Sequence, residues 1–163
     1  MKNAKKWILS AIVLIGTVLA VTGMCIAYLK SLDTVVGLNV ESSYTLFGND
    51  IFTDYNDLSR ASMAFAIMTV IFAGLTLILT AMQLFGVMRD NRVKMVTSAM
   101  SVICAIIAFV LVCVFANGFT KSFGTIISSD WAPAVGAYLL AIGGIVAGLF
   151  GFFPVNAKKK GRK

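Results

Sequence analysis

The sequence predicts an all-α membrane protein, a four-transmembrane-helix bundle with both termini cytoplasmic, with a short β-hairpin compatible with its first extracytoplasmic loop. Three observations carry that prediction. Four long runs contain no Asp, Glu, Lys, Arg or His, and each is long enough to cross the ~30 Å hydrocarbon core of a bilayer. Eleven of the fourteen Lys and Arg residues flank those runs on one side, the pattern expected of the cytoplasmic side. The third is a seam on the second run. Ser62, Ala66, Thr69, Ala73, Thr76, Thr80 and Gln83 step by four and three, with Val87 closing the series. A ~3.5-residue repeat keeps one stripe turned towards a partner helix, and lipid gives no reason to gather threonines there.

Composition agrees. A mean hydropathy of +0.91 and 59% hydrophobic residues leave too few polar groups to clothe a water-exposed globule. The 163 residues make one domain. The net charge of +7 is concentrated at the ends of apolar runs, so it reads as topology and not as a nucleic-acid footprint. Only Lys30, Arg60 and Lys121 fall on the other side, together with six of the seven acids. Cys25, Cys104 and Cys113 all lie in apolar runs, which implies packing residues and no disulfide framework. Histidine, the commonest metal ligand and general base, is absent from the sequence.

In chain order, the first helix is expected over 7–29 as an uncleaved span, because its apolar run far exceeds a signal-peptide core. Gly16, Ala20, Gly23 and Ala27 give it a small-residue face for close helix approach. Trp7 and Tyr28 sit near its opposite ends, where amphipathic rings suit the headgroup zone. The loop over 30–60 alternates at Val36, Leu38 and Val40, the period of a strand. Long connections of this kind carry recognition, and the candidates here are Tyr44, Phe47, Asp50, Phe52 and Tyr55. Thr53 or Asp54 is placed to cap the second helix, expected over 61–88. Residues 89–94 form a tight basic inner turn, and the third helix follows over 95–117 with Thr97, Ser101, Cys104 and Ala108 on one stripe. The second outer loop, 118–130, is oddly apolar at Phe123, Ile126 and Ile127, with Phe119 beside them. Dipping into the membrane interface is the favoured reading, and meeting the first loop is the other. The fourth helix is expected over 131–154, with Pro133 in its first turn. Ala137, Ala141, Gly144 and Gly148 form one small-residue line on it, and Gly136, Gly143, Ala147 and Gly151 another. Two such lines imply close neighbours on more than one flank. The basic tail 156–163 is an orientation signal attracted to anionic lipid.

Chemistry is mostly excluded. Without an ionisable group in the apolar runs, a proton-coupled transporter and an aspartyl or metallo intramembrane protease are argued against. Asp54, Tyr55, Asn56 and Asp57 resemble the start of a calcium loop but lack its glycine and bidentate glutamate. No catalytic, cofactor or metal site is expected. Gln83 is the costliest polar residue of the seam and is expected near the inner end, with water in reach.

With both termini inside, a longer first outer loop and a shorter second, the topology resembles in outline that of claudins and other four-helix junction or tetraspan proteins. The first loop has neither the W-G-L-W pattern and paired cysteines of claudins nor the cysteine clusters of tetraspanins. Topology alone does not fix function. The expected function is that of a membrane interaction protein (scaffold, adhesion element or accessory subunit) using its first outer loop and small-residue helix faces. The alternative is an oligomeric pore or small-solute carrier lined by the hydroxyl seam. The expected partners are the bilayer and another membrane protein or further copies of the chain, and not nucleic acid.

Overall fold

In a computed structural model, residues 2–35, 38–47, 57–88, 90–122 and 128–155 are described. Each of the four uncharged runs is mostly helical, the conformation in which a single segment satisfies its own backbone without water. The elements are α1 (Lys2–Cys25), β1 (Ala27–Val35), β2 (Leu38–Thr45), α2 (Asp57–Leu84), α3 (Arg92–Ser122), β3 (Ser128–Pro133) and α4 (Val135–Gly151). Three helical stretches, Ala4–Cys25, Asp57–Leu84 and Arg92–Gly118, are long and apolar enough to cross a membrane. α4 is shorter, at 17 residues. The molecule is therefore mostly helical with a small sheet, and not purely α.

The expected helix bounds shift for local reasons. α1 stops before Tyr28, because the chain there joins the sheet. α2 starts a turn early, with Asp57 in its first turn, where a carboxylate complements the helix dipole. It ends at Leu84, and Gly86 turns the chain with a φ of 76°. Val87, expected to close the seam, lies beyond that end and is exposed. α3 begins at Arg92, so Lys94 belongs to the helix and not to a solvated turn.

Successive helices run antiparallel, as contacts along their lengths show. Ser62 of α2 donates to the carbonyl of Ala108 in α3, and towards the other end Thr76 donates to Thr97. α4 threads between neighbours by means of its glycines. A Cβ at Gly16 would lie 2.6 Å from the backbone nitrogen of Ala147, and one at Gly136 would lie 2.6 Å from the carbonyl of Gly23. α1 and α4 thus touch backbone to backbone, antiparallel, through Gly16, Ala20 and Gly23 against Gly136, Gly143 and Ala147. The other line faces α2 and α3: a Cβ at Gly144 would meet Thr69 Cγ2 and Ala105 Cβ, and one at Gly148 would be 2.7 Å from the Ser98 carbonyl.

The three-stranded sheet has the order β2-β1-β3, with both pairings antiparallel. The hairpin joins β1 to β2 from Val35↔Leu38 back to Leu29↔Tyr44. β3 comes from the connection between α3 and α4 and pairs with β1 from Leu29↔Pro133 to Thr34↔Ser128. The 128–133 stretch of the second loop therefore meets the first, while Phe123, Ile126 and Ile127, on which the interfacial reading rests, lie outside the described residues. Trp131 and Pro133, expected in the fourth helix, lie in this strand. Chain geometry permits it: β3 is an edge strand, a sheet position that tolerates a proline. Ala134 resumes bonding by donating to the Tyr28 carbonyl at 3.0 Å.

Candidate functional site

One face of the sheet is turned to the helix ends. Leu29, Leu46 and Tyr28 are buried in one cluster with Ala108, Val112 and Phe115 of α3 and Ala137 and Leu140 of α4. Tyr28 is thus a core residue and not an interfacial ring. Burial pushes its hydroxyl up to a pKa of about 12, against an opposing pull from the nearby Ser62. Tyr44 and Trp131 stack across this face with ring centroids 5.3 Å apart and planes 17° apart, tying β2 to β3 over β1. Beneath them Ser31 is fully buried, and its hydroxyl has no hydrogen-bond partner among the described residues. The opposite face presents Leu32, Glu41 and Ser43 to the outside, with Lys30 half-exposed and its ammonium 3.7 Å from the Glu41 carboxylate.

Of the recognition candidates in the first loop, Tyr44 is engaged in the stack, whereas Phe47 is 57% exposed. Asp50, Phe52 and Tyr55 lie outside the described residues, as do Thr53 and Asp54. The pairing of Tyr44 with Trp131 is not legible in the sequence, because the apolar run that opens at Trp131 reads as helix.

The seam is packed. The buried residues of α2 are Ser59, Ser62, Ala66, Thr69, Ala73, Thr76, Thr80 and Gln83. Thr69 donates to Phe65 O at 2.8 Å and Thr80 to Thr76 O at 2.7 Å, so both hydroxyls are spent on their own helix. Cross-helix bonds include those of Ser62 and Thr76, that of Ser101 to the Gly144 carbonyl at 3.0 Å, and Thr17 reaching Ala73 O at 3.4 Å. Leu75 and Ile78 lie on the exposed side of α2.

The far end of the seam holds a residue the sequence did not single out. Lys94 is fully buried, and its ammonium donates to Gln83 Oε1 at 3.1 Å and to the Phe153 carbonyl at 2.8 Å. The Gln83 amide in turn donates to Asp90 O at 3.2 Å and Asn91 Oδ1 at 3.1 Å. Gln83 is therefore sealed, not wetted as expected. Among the described residues both acceptors of the ammonium are neutral oxygens. What offsets the charge is position: Gln83 and Phe153 stand at the C-terminal ends of α2 and α4, each equivalent to roughly −0.5 charge. One lysine thus closes two helix ends. The signal for it was present, since Lys94 lies one, two and three turns before Ser98, Ser101 and Ala105 on the buried stripe of α3.

Among the described residues no group of three or more His, Cys, Asp or Glu side chains is gathered as for a metal ion. Cys25 is exposed, Cys104 buried and Cys113 half-buried, all three with free thiols. No family model matches the chain, and no curated protein or solved structure is similar to it.

Proposed function

We propose that this chain spans the cell membrane four times with both termini cytoplasmic, and that it works as an interaction protein: a scaffold, adhesion element or accessory subunit of a membrane complex. The single observation that carries the reading is the outer sheet. Both outer loops contribute strands to it, one face is anchored on the helix ends, and the other offers Lys30, Leu32, Glu41 and Ser43 as a fixed surface. A rigid scaffold presenting a fixed exposed surface suits recognition, since little ordering cost remains to be met on binding.

The fourth span rests on α4, whose 17 residues rise roughly 25 Å, at the lower end of the crossing range. Orientation rests on the Lys and Arg asymmetry, with the basic tail drawn to anionic lipid. The packed seam supports the interaction reading over the pore, because its threonine hydroxyls are bonded to protein carbonyls and to Thr97.

Two measurements test this. A cysteine placed at Ser42 should react with an impermeant reagent on intact cells and one at Asn156 should not; the reverse overturns the orientation. Replacing Lys30, Leu32, Glu41 and Ser43 together by alanine should abolish co-purification of partners from native membrane without lowering the melting temperature. Unchanged partners would remove the sheet from the function.

A further inference from the structure

The outer edge of β2 has no neighbour among the described residues, since β1 lies on its other side and the sheet order is β2-β1-β3. The ladder fixes which of its backbone groups face that open edge. Ala134 donates to the Tyr28 carbonyl, so even-numbered residues of β1 bond towards β3 and odd-numbered ones towards β2. The partners of those odd residues are Leu38, Val40, Ser42 and Tyr44. What remains for the open edge are the N–H and C=O groups of Asn39, Glu41, Ser43 and Thr45. An edge of this length left unpaired among the described residues is a template for another strand. β3 differs, because the nitrogen of Pro133 sits opposite Leu29 on the non-bonding side, so its open edge carries a residue that cannot donate.

From this edge we infer that β2 pairs antiparallel with β2 of a second copy, about a two-fold axis passing through Ser42. Three constraints select that arrangement. Only residues facing the open edge can exchange bonds, so the register must match odd residues with odd. Within that rule two registers use nearly the whole strand. One sets Glu41 opposite Glu41 of the other copy, a like-charge pair that is disfavoured. The other sets Glu41 opposite Ser43 of the second copy and Ser42 opposite Ser42, with each Glu41 keeping its own Lys30 at 3.7 Å. The third constraint is the bilayer. Two copies with the same sidedness are related by an axis along the membrane normal. The dyad of an antiparallel pair is normal to the sheet, and this sheet turns a face to the helix ends, so its dyad runs along the bundle.

The inference rests on the membrane-spanning orientation proposed above and names the partner of the same sheet. Its test is cross-linking in membranes, in a background with Cys25, Cys104 and Cys113 replaced. Facing Ser42 residues form a non-hydrogen-bonded pair with Cα atoms ~4.5 Å apart, inside the range for a disulfide. Ser42→Cys should give a disulfide-linked dimer on mild oxidation, whereas Glu41→Cys alone and Ser43→Cys alone should not. Glu41→Cys co-expressed with Ser43→Cys should cross-link. Adding Ser43→Pro to Ser42→Cys, which removes an edge donor but no bond to β1, should abolish the dimer while leaving the melting temperature of the protein unchanged. No dimer from Ser42→Cys, equal yields from all three single variants, or a cross-link from Ser42→Cys to a different protein would each overturn the self-pairing. If partners still co-purify in that case, the interaction reading stands without it.

Discussion

The ammonium of Lys94 lies 2.8 Å from the carbonyl oxygen of Phe153, and this bond closes the basic end of the bundle. It ties the first turn of α3 to the end of α4, while the second bond of the same nitrogen reaches Gln83 at the end of α2. Two losses here are unequal. Lys94→Met removes the charge together with its bonds and leaves two neutral acceptors, costing about 1–3 kcal/mol. Gln83→Leu leaves a buried ammonium short of a partner, and should cost more, about 3–5 kcal/mol. The double variant should melt above Gln83→Leu alone. A Gln83→Leu protein that melts like the parent in detergent would remove this clasp from the account of stability.

Packing should outweigh polarity along the seam. Thr76 makes a single 3.3 Å hydroxyl contact with Thr97, and interhelical polar contacts in membranes average about 0.6 kcal/mol, so Thr76→Val is expected to be mild. Gly144→Leu and Ala73→Leu force side chains into filled space and should lose about 1–3 kcal/mol or more. If both leucine variants keep the parent's melting temperature while Thr76→Val collapses, the seam is a polar network.

The α1–α4 contact is stricter still. At Gly23 an added methyl meets the backbone of Leu140 and the Gly136 carbonyl, neither of which is a flexible side-chain end that can swing aside. Gly23→Ala should therefore be destabilising even though alanine favours helix over glycine by about 1 kcal/mol. Gly74 gives the opposite case, since nothing among the described residues lies within 4 Å of its Cβ position, and Gly74→Ala should be neutral or stabilising. Equal melting shifts for the two would contradict the close approach of α1 and α4.

Tyr28 links the sheet to pH. Its folded pKa is raised from 10.0 to about 12, so the folded state holds the proton longer than the unfolded chain. The sign follows: this contribution is full below pH 10 and is lost as pH rises through about 12, a loss on the order of 2–3 kcal/mol. Between those values the parent's stability should fall more steeply than that of Tyr28→Phe, measured by denaturation in detergent. Parallel curves would place Tyr28 in contact with water.

Ser31 offers a gain. Its hydroxyl is buried without a partner among the described residues, so Ser31→Ala removes a desolvated polar group and should leave the melting temperature equal or higher. Tyr44→Ala, which opens the stack over it, should lower it. A marked loss with Ser31→Ala would mean that a bound water satisfies that hydroxyl.

The sequence by itself determined the helices, because long uncharged runs leave few other conformations. It also determined which face of α2 is buried, since Ser62, Thr69, Thr76 and Gln83 recur at the period of a packed helix. The small-residue lines of α4 already carried the information that it has neighbours on two flanks. Only the tertiary structure decided the partners. Trp131 reads as the start of an apolar helix until β1 is beside it, for strand pairing is non-local and leaves no periodic trace in six residues. Lys94 reads as one more orientation signal, because a lone cation beside an apolar run looks the same whether solvated or buried. What distinguishes the two is the arrival of two helix C-termini at one nitrogen, and that convergence exists only once the bundle has closed.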